Sequence, residues 1–172
     1  NLADEASKQD TVDKLAEANG YFKKKGWGDI GLIVFDTLTK AMSGKDQNSV
    51  EDTSSVFETT DLLKEVGVTA SVVFVHHNNK SGSGPRGSSN IMAAPDTVLS
   101  VAKKEARMVD SEKCEIIELS VFMARAIDDT QTYDFAMRSV ELGVNNQGIM
   151  DIAPVLTLLK SRQEQPTVSE DK

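Results

Sequence analysis

The sequence has almost no cysteine, few aromatic residues and no long apolar run, and each shortage excludes a class of protein. A single cysteine, Cys114, cannot form an internal disulfide, so the chain is not a disulfide-stapled secreted scaffold, and a reducing cytosol is its expected compartment. Aromatic residues make up 5% of the chain, which leaves the core to aliphatic side chains. No apolar run reaches the roughly 18 residues of a membrane span, and the N-terminus lacks the basic and apolar blocks of a signal peptide. A cytoplasmic location and no membrane partner are therefore expected. Cations are in deficit too: 19 Lys and Arg stand against 27 Asp and Glu, a formal net charge of −8. That balance argues against strong unspecific affinity for nucleic acid, which comes mainly from phosphate neutralisation by Lys and Arg. What is present is 172 residues, 39% of them hydrophobic. This is the size of one ordinary domain, with enough apolar surface to bury a core. The first residue is Asn1 rather than methionine, and the residues after it read as the opening of a helix, so a piece of a longer chain is expected.

Val12, Leu15, Ala16 and Phe22 recur at helical steps and predict a first helix over 5–24, ended by Lys23, Lys24 and Lys25 and then by Gly26 and Gly28. Residues 30–35 are almost uninterruptedly apolar, the pattern of a parallel strand covered on both faces, and they stop at Asp36. Residues 43–49 read as a loop. Val56, Phe57, Leu63 and Val66 restore the helical period over 50–66, with Gly67 closing the helix. A second buried strand is expected over 70–75, so strand, helix and strand form a parallel crossover unit. Residues 78–90 hold three glycines, four serines and a proline, a loop at the end of a strand, where such sheets keep their chemistry. Beyond Asp96, residues 97–101, 115–122 and 133–142 predict three antiparallel strands in a meander. Residues 149–159 fit either a strand or a short helix. The fold class expected is α/β, parallel strands with crossover helices followed by an antiparallel meander, over 1–160. A polar tail over 161–172, expected to be disordered, ends the chain.

Three groups of residues could carry chemistry. Asp36, with Thr37 beside it, places a carboxylate at the carboxyl edge of a parallel sheet, where an acid can hold Mg²⁺ through water; the alternative is a turn or capping aspartate. His76, His77 and Lys80 follow the next strand. Strand alternation sends the two histidines to opposite sides, so at most one faces the site, and the alternative is a pair of satisfied strand-end histidines. Two histidines and a distant cysteine lack the spacing of a zinc site. The loop 80–89, KSGSGPRGSS, offers backbone amides, Lys80 and Arg86 to phosphates. Within 80–107 five basic residues stand against two acidic ones, a local positive charge inside a negative chain; the alternative is a solvated surface loop. The ordered glycines, lysine and serine or threonine of a P-loop appear nowhere in the chain.

Together GLIVFDTLTKAM, SGKDQNSVED, VVFVHHNNK and RGSSNIMAAPDTVLSV resemble, in order and spacing, the RecA-like P-loop NTPase core of RepA-like replicative helicases and phage or plasmid primase-helicases. The likeness covers residues 1–145 and is to the carboxyl-terminal part of that core. It implies ATP and Mg²⁺ as cofactors, with Asp36 as the Walker B acid, Thr37 beside the nucleotide, and His77 as the polar sensor of the γ-phosphate. It implies that Lys80, Arg86, Gly87 and Ser88 face single-stranded DNA, and that Arg125 is an arginine finger supplied across a homo-oligomeric, hexameric ring, with Arg107 and Arg86 next in line. The phosphate-cradling Walker A segment and the strand-borne glutamate would lie before Asn1. Where relatives often read DEN this chain has Asp46, Gln47 and Asn48, and Met123 stands where they tend to carry lysine. The segment alone is therefore expected not to hydrolyse ATP, and an uncovered sheet is expected to favour self-association. The alternatives are a non-catalytic module that binds nucleic acid or a partner, and a RecA-like regulatory or recombination ATPase.

Overall fold

The computed structural model describes residues 1–79, 84–126 and 131–159, and the backbone of Arg162 and Gln163. The chain forms two compact units, Asn1–Pro95 and Asp96–Lys172.

The first unit opens with α1 (Glu5–Lys24), capped by Asp4, whose carboxylate accepts the Ser7 amide at 3.0 Å. β1 (Leu32–Asp36) follows, then a short α2 (Leu38–Met42), α3 (Val50–Glu65) and β2 (Ser71–Val75). α4 (Asn90–Ala93) is a single turn. β1 and β2 pair in parallel with Asp36 opposite Val75, as the strand, helix and strand pattern predicts. α2 is an addition to the sequence reading: Thr37 caps it by accepting the Lys40 amide. Val12 of α1 and Leu63 of α3 pack on Ile33, with Phe35 and Val72 against them. Leu38, Met42 and Val56 form a second buried cluster around Phe35 and Phe74, whose rings stack at 5.0 Å.

The two strands were expected to be covered on both faces, and that expectation is corrected. The helices cover the face of Ile33, Phe35, Val72 and Phe74, whereas Leu32, Val34, Val73 and Val75 are 57%, 52%, 45% and 40% exposed. The sequence is apolar on both sides of each strand because both sides are suited to burial, but α1 and α3 supply only one layer.

α1 and α3 are also tied by a buried lysine. Lys8 is 1% exposed and donates to Glu5 Oε1 at 2.7 Å, Ser55 Oγ at 3.0 Å and Glu58 Oε2 at 3.1 Å. Three acceptors satisfy all three ammonium protons. Burial alone would lower its pKa, but the hydrogen bonds it donates to Glu5 and Glu58 outweigh it and hold the ammonium above the ordinary lysine value.

The second unit is an antiparallel sheet in the order β3 (Thr97–Val109), β4 (Glu112–Ala124), β5 (Gln131–Val144), β6 (Met150–Leu158), with β7 (Arg162–Gln163) pairing β5. The meander is longer than the sequence pattern indicates, and residues 149–159 resolve as a strand. β3 and β4 run past their apolar stretches, and cross-strand ion pairs accompany the extended ladder: Lys104 meets Glu118 at 2.8 Å, and Lys103 meets Glu115. Their hairpin turns through Asp110 and Ser111 at φ 49° and 70°, the left-handed pair of a two-residue turn. Cys114, Ile116 and Ala136 are its buried cluster. The expected disordered tail lies outside the described residues, except for the backbone of β7.

Candidate functional site

Strand register brings Asp36 and the two histidines to one end of the small sheet. Asp36 closes β1 opposite Val75, and β2 ends one residue before His76 and His77. Alternation puts Asp36 on the bare face with Val34, Val73 and Val75, and its continuation past Val75 puts His77 on that same face. His76 belongs to the helix-covered face with Phe74. Asp36 is exposed, and its carboxylate makes no hydrogen bond or ion pair among the described residues. The capping role at this strand end falls to Thr37 instead, whose hydroxyl accepts the Lys40 amide at 3.4 Å. The Asp36–Thr37 peptide is cis.

The loop after β2 is anchored by its backbone. The Asn79 amide donates to Gly84 O at 2.9 Å, Asn78 and Pro85 form an antiparallel bridge, and the Arg86 amide donates to His77 O at 3.1 Å. The Nε2 of His76 bonds the Arg86 carbonyl. A carbonyl can only accept, so Nε2 carries the proton. Arg86 itself is exposed. Gly87 sits at φ 119°, and a Cβ there would meet the Gln47 carbonyl oxygen at 2.6 Å and Ile91 Cδ1 at 2.7 Å. That same carbonyl accepts the Ser88 amide at 2.9 Å. Ser88 is buried, with its hydroxyl 2.9 Å from that of Thr53. Of the residues expected to face DNA, Arg86 is thus open to solvent and Ser88 has its polar groups turned inward. Lys80 lies outside the described residues.

The Asp46, Gln47 and Asn48 segment is a local turn in which Asp46 Oδ1 accepts both the amide and the side-chain nitrogen of Asn48 at 2.9 Å. No residue pattern marks the Gln47 backbone oxygen as the seat of the neighbouring loop, since a carbonyl carries no residue signature. The buried partners Thr53 and Lys8 were missed for a related reason: a threonine and a lysine within a helix read as solvated positions.

Of the candidate arginines, Arg86 lies in the first unit, and Arg125 and Arg107 lie in the second. Arg125 follows β4; its amide donates to Asp96 O at 3.0 Å, and Nη1 lies 3.5 Å from Asp96 Oδ1. Arg107 is paired at 3.0 Å with Asp134, whose side chain is 5% exposed. A bulge between Lys104 and Arg107 opens a depression of about 430 Å³ lined by Lys104, Arg107, Glu118 and Asp134.

Among the described residues no cluster of three or more His, Cys, Asp or Glu could hold a metal ion, so Mg²⁺ at Asp36 would be completed by water and phosphate oxygens, as that ion prefers. Among the described residues no helix is long and apolar enough to cross a membrane. No curated protein and no solved structure matches the chain. Residues 4–83, from the cap of α1 through Asp36 and His77, match the family model of an AAA domain. The match supports an AAA or RecA-like ATPase family, and with it a nucleotide-dependent, ATPase-like function compatible with ATP and Mg²⁺.

Proposed function

We propose that this chain is the carboxyl-terminal part of a RecA-like motor of the RepA-like replicative helicase type, which hydrolyses ATP and moves on single-stranded DNA as a homo-oligomeric, hexameric ring. The observation that carries the reading is the position of Asp36: an exposed carboxylate, unbonded among the described residues, at the carboxyl edge of a parallel pair, inside the segment that matches the AAA domain. The bound nucleotide and its metal would supply a transferable phosphoryl group and neutralise its charge. Asp36 would orient the metal through water. His77, on the same face by alternation, would donate a hydrogen bond to a terminal phosphate oxygen. Thr37 would line the nucleotide side while capping α2, and Arg125 would reach the nucleotide of a neighbouring subunit. Lys80 and Arg86 would meet the phosphates of the strand. The residues fit the metal side of such a site. The phosphate-cradling glycines and lysine are not among them, so this segment alone turns over no ATP.

The test is Asp36→Ala in the product of the complete reading frame that carries this sequence. Magnesium-dependent ATP hydrolysis falls about a hundredfold or more, while the melting temperature is unchanged, because the carboxylate holds nothing in the described fold. Hydrolysis at the parental rate in that variant overturns the reading.

A further inference from the structure

We infer that His76 is a positioning residue that holds Arg86 at the root of the loop after β2, so that the Arg86 guanidinium binds a phosphate of single-stranded DNA. The inference rests on the reading above for its ligand and on geometry for its mechanism.

Arg86 is exposed, yet its backbone is held on both sides: its amide donates to His77 O at 3.1 Å and its carbonyl accepts from His76 Nε2. The next residues are fixed as firmly. Gly87 admits no side chain against Gln47 and Ile91, and Ser88 is bonded through its amide to Gln47 and through its hydroxyl to Thr53. An arginine on a free loop loses the entropy of the loop when it captures an anion, and one whose backbone is already fixed does not. His76 is suited to this task and to no direct contact. It lies on the helix-covered face, and its Nδ1 is buried without a hydrogen-bond partner among the described residues, so the ring's one described hydrogen bond goes to Arg86. His77 and His76 thus divide the work, one facing the bare side of the sheet and one turned inward to fix the loop.

The test uses the whole 172-residue chain and an oligothymidylate of about 20 nucleotides, titrated over a series of salt concentrations. His76→Gln keeps an N–H donor where Nε2 stands. His76→Leu removes it, and His76→Asn keeps a polar amide but places it at the level of Nδ1, out of reach of the Arg86 carbonyl. Arg86→Ala lowers the salt slope by about 0.7, the contribution of one single-strand phosphate. The leucine and asparagine variants are expected to lower it equally, to add nothing when combined with Arg86→Ala, and to leave Trp27 fluorescence native. The glutamine variant stays near the parent. Amide hydrogen exchange at Arg86 and Ser88 supplies a readout independent of DNA: it quickens in the leucine and asparagine variants and stays slow in Arg86→Ala. A parental slope in the leucine and asparagine variants, additivity with Arg86→Ala, or unchanged exchange overturns the positioning role. An unchanged affinity and slope in Arg86→Ala with quickened exchange in the His76 variants overturns the single-strand ligand and leaves the clamp standing. Loss of ATP binding in its place assigns the phosphate to nucleotide and overturns the DNA assignment as well.

Discussion

Replacing Gly87 by alanine isolates how tightly the loop after β2 is seated. Two costs arise. At φ 119° the backbone is in a region that side chains rarely adopt, worth about 1–3 kcal/mol. The new Cβ would also stand 2.6 Å from Gln47 O and 2.7 Å from Ile91 Cδ1. The methyl end of Ile91 can rotate away, but the Gln47 oxygen is backbone, and moving it weakens its bond from the Ser88 amide, about 1 kcal/mol. Against these, alanine stiffens the unfolded chain by about 0.4–1 kcal/mol. The net loss is about 1–3.5 kcal/mol. Gly44, at φ 82° with nothing within 4 Å of its would-be Cβ, provides the control: Gly44→Ala bears the backbone cost, about 1–2 kcal/mol, less the same unfolded-chain gain, and no steric cost. The assay is equilibrium urea unfolding followed by the fluorescence of Trp27, the only tryptophan, which belongs to the first unit and so reports that unit. With a slope of about 1–3 kcal/mol per molar urea, Gly87→Ala should unfold about 1 M earlier than Gly44→Ala. Equal midpoints would refute the argument that the Gln47 carbonyl excludes a side chain there.

Three more outcomes follow from contacts already described. Lys8→Met keeps the buried stem and loses three hydrogen bonds, but Glu5 and Glu58 are 81% and 62% exposed and stay solvated, so urea unfolding should show a loss of about 1–2 kcal/mol; Lys8→Ala adds a cavity and should cost about 2–5 kcal/mol. Asp29 is held below the ordinary carboxylate value by hydrogen bonds from Lys23 and then Asn19; its contribution is complete above the unfolded-state pKa and is lost as pH falls through the folded one. Asp29→Asn should therefore flatten the acid limb of a stability-against-pH curve and leave neutral pH least changed in slope. Ser111→Gly relieves a side chain at φ 70° and should raise the melting temperature of the second unit, by the equivalent of up to about 1 kcal/mol; a fall would show that the turn is not limited by backbone conformation.

What could be read from residues alone was whatever rests on period or on strong punctuation. The first helix was expected over 5–24 and spans Glu5–Lys24, because its apolar stripe and closing lysines and glycines are all local signals. The order of strand, helix and strand was legible for the same reason. The extents of β3 and β4 were not, since Lys103, Lys104 and Arg107 read as solvent-facing charge, and only the backbone register with Ile117, Ile116 and Cys114 makes them ladder positions. At the candidate site, Asp36 stood out because an acid interrupts an apolar run. The seat of the next loop did not, because it is built from the Gln47 backbone oxygen and from Thr53 and Ser88, which meet only after α3 has packed. That one histidine faces inward followed from alternation; that it grips the Arg86 carbonyl did not.

The uncovered side of the β1–β2 pair has a bearing on the carboxylate at its edge. Asp36 rises from the same surface as Val34, Val73 and Val75, so the medium above those valines is also the medium around the acid. With water there, attraction between Asp36 and a divalent cation is weakened by the full dielectric constant of the solvent. Once any apolar layer displaces that water, the same charge pair interacts several times more strongly at the same separation. On the proposed reading, metal affinity at Asp36 would thereby be tied to the hydration of three valines, and changing Val34 or Val75 to a polar residue should weaken cation binding without touching the ligand itself.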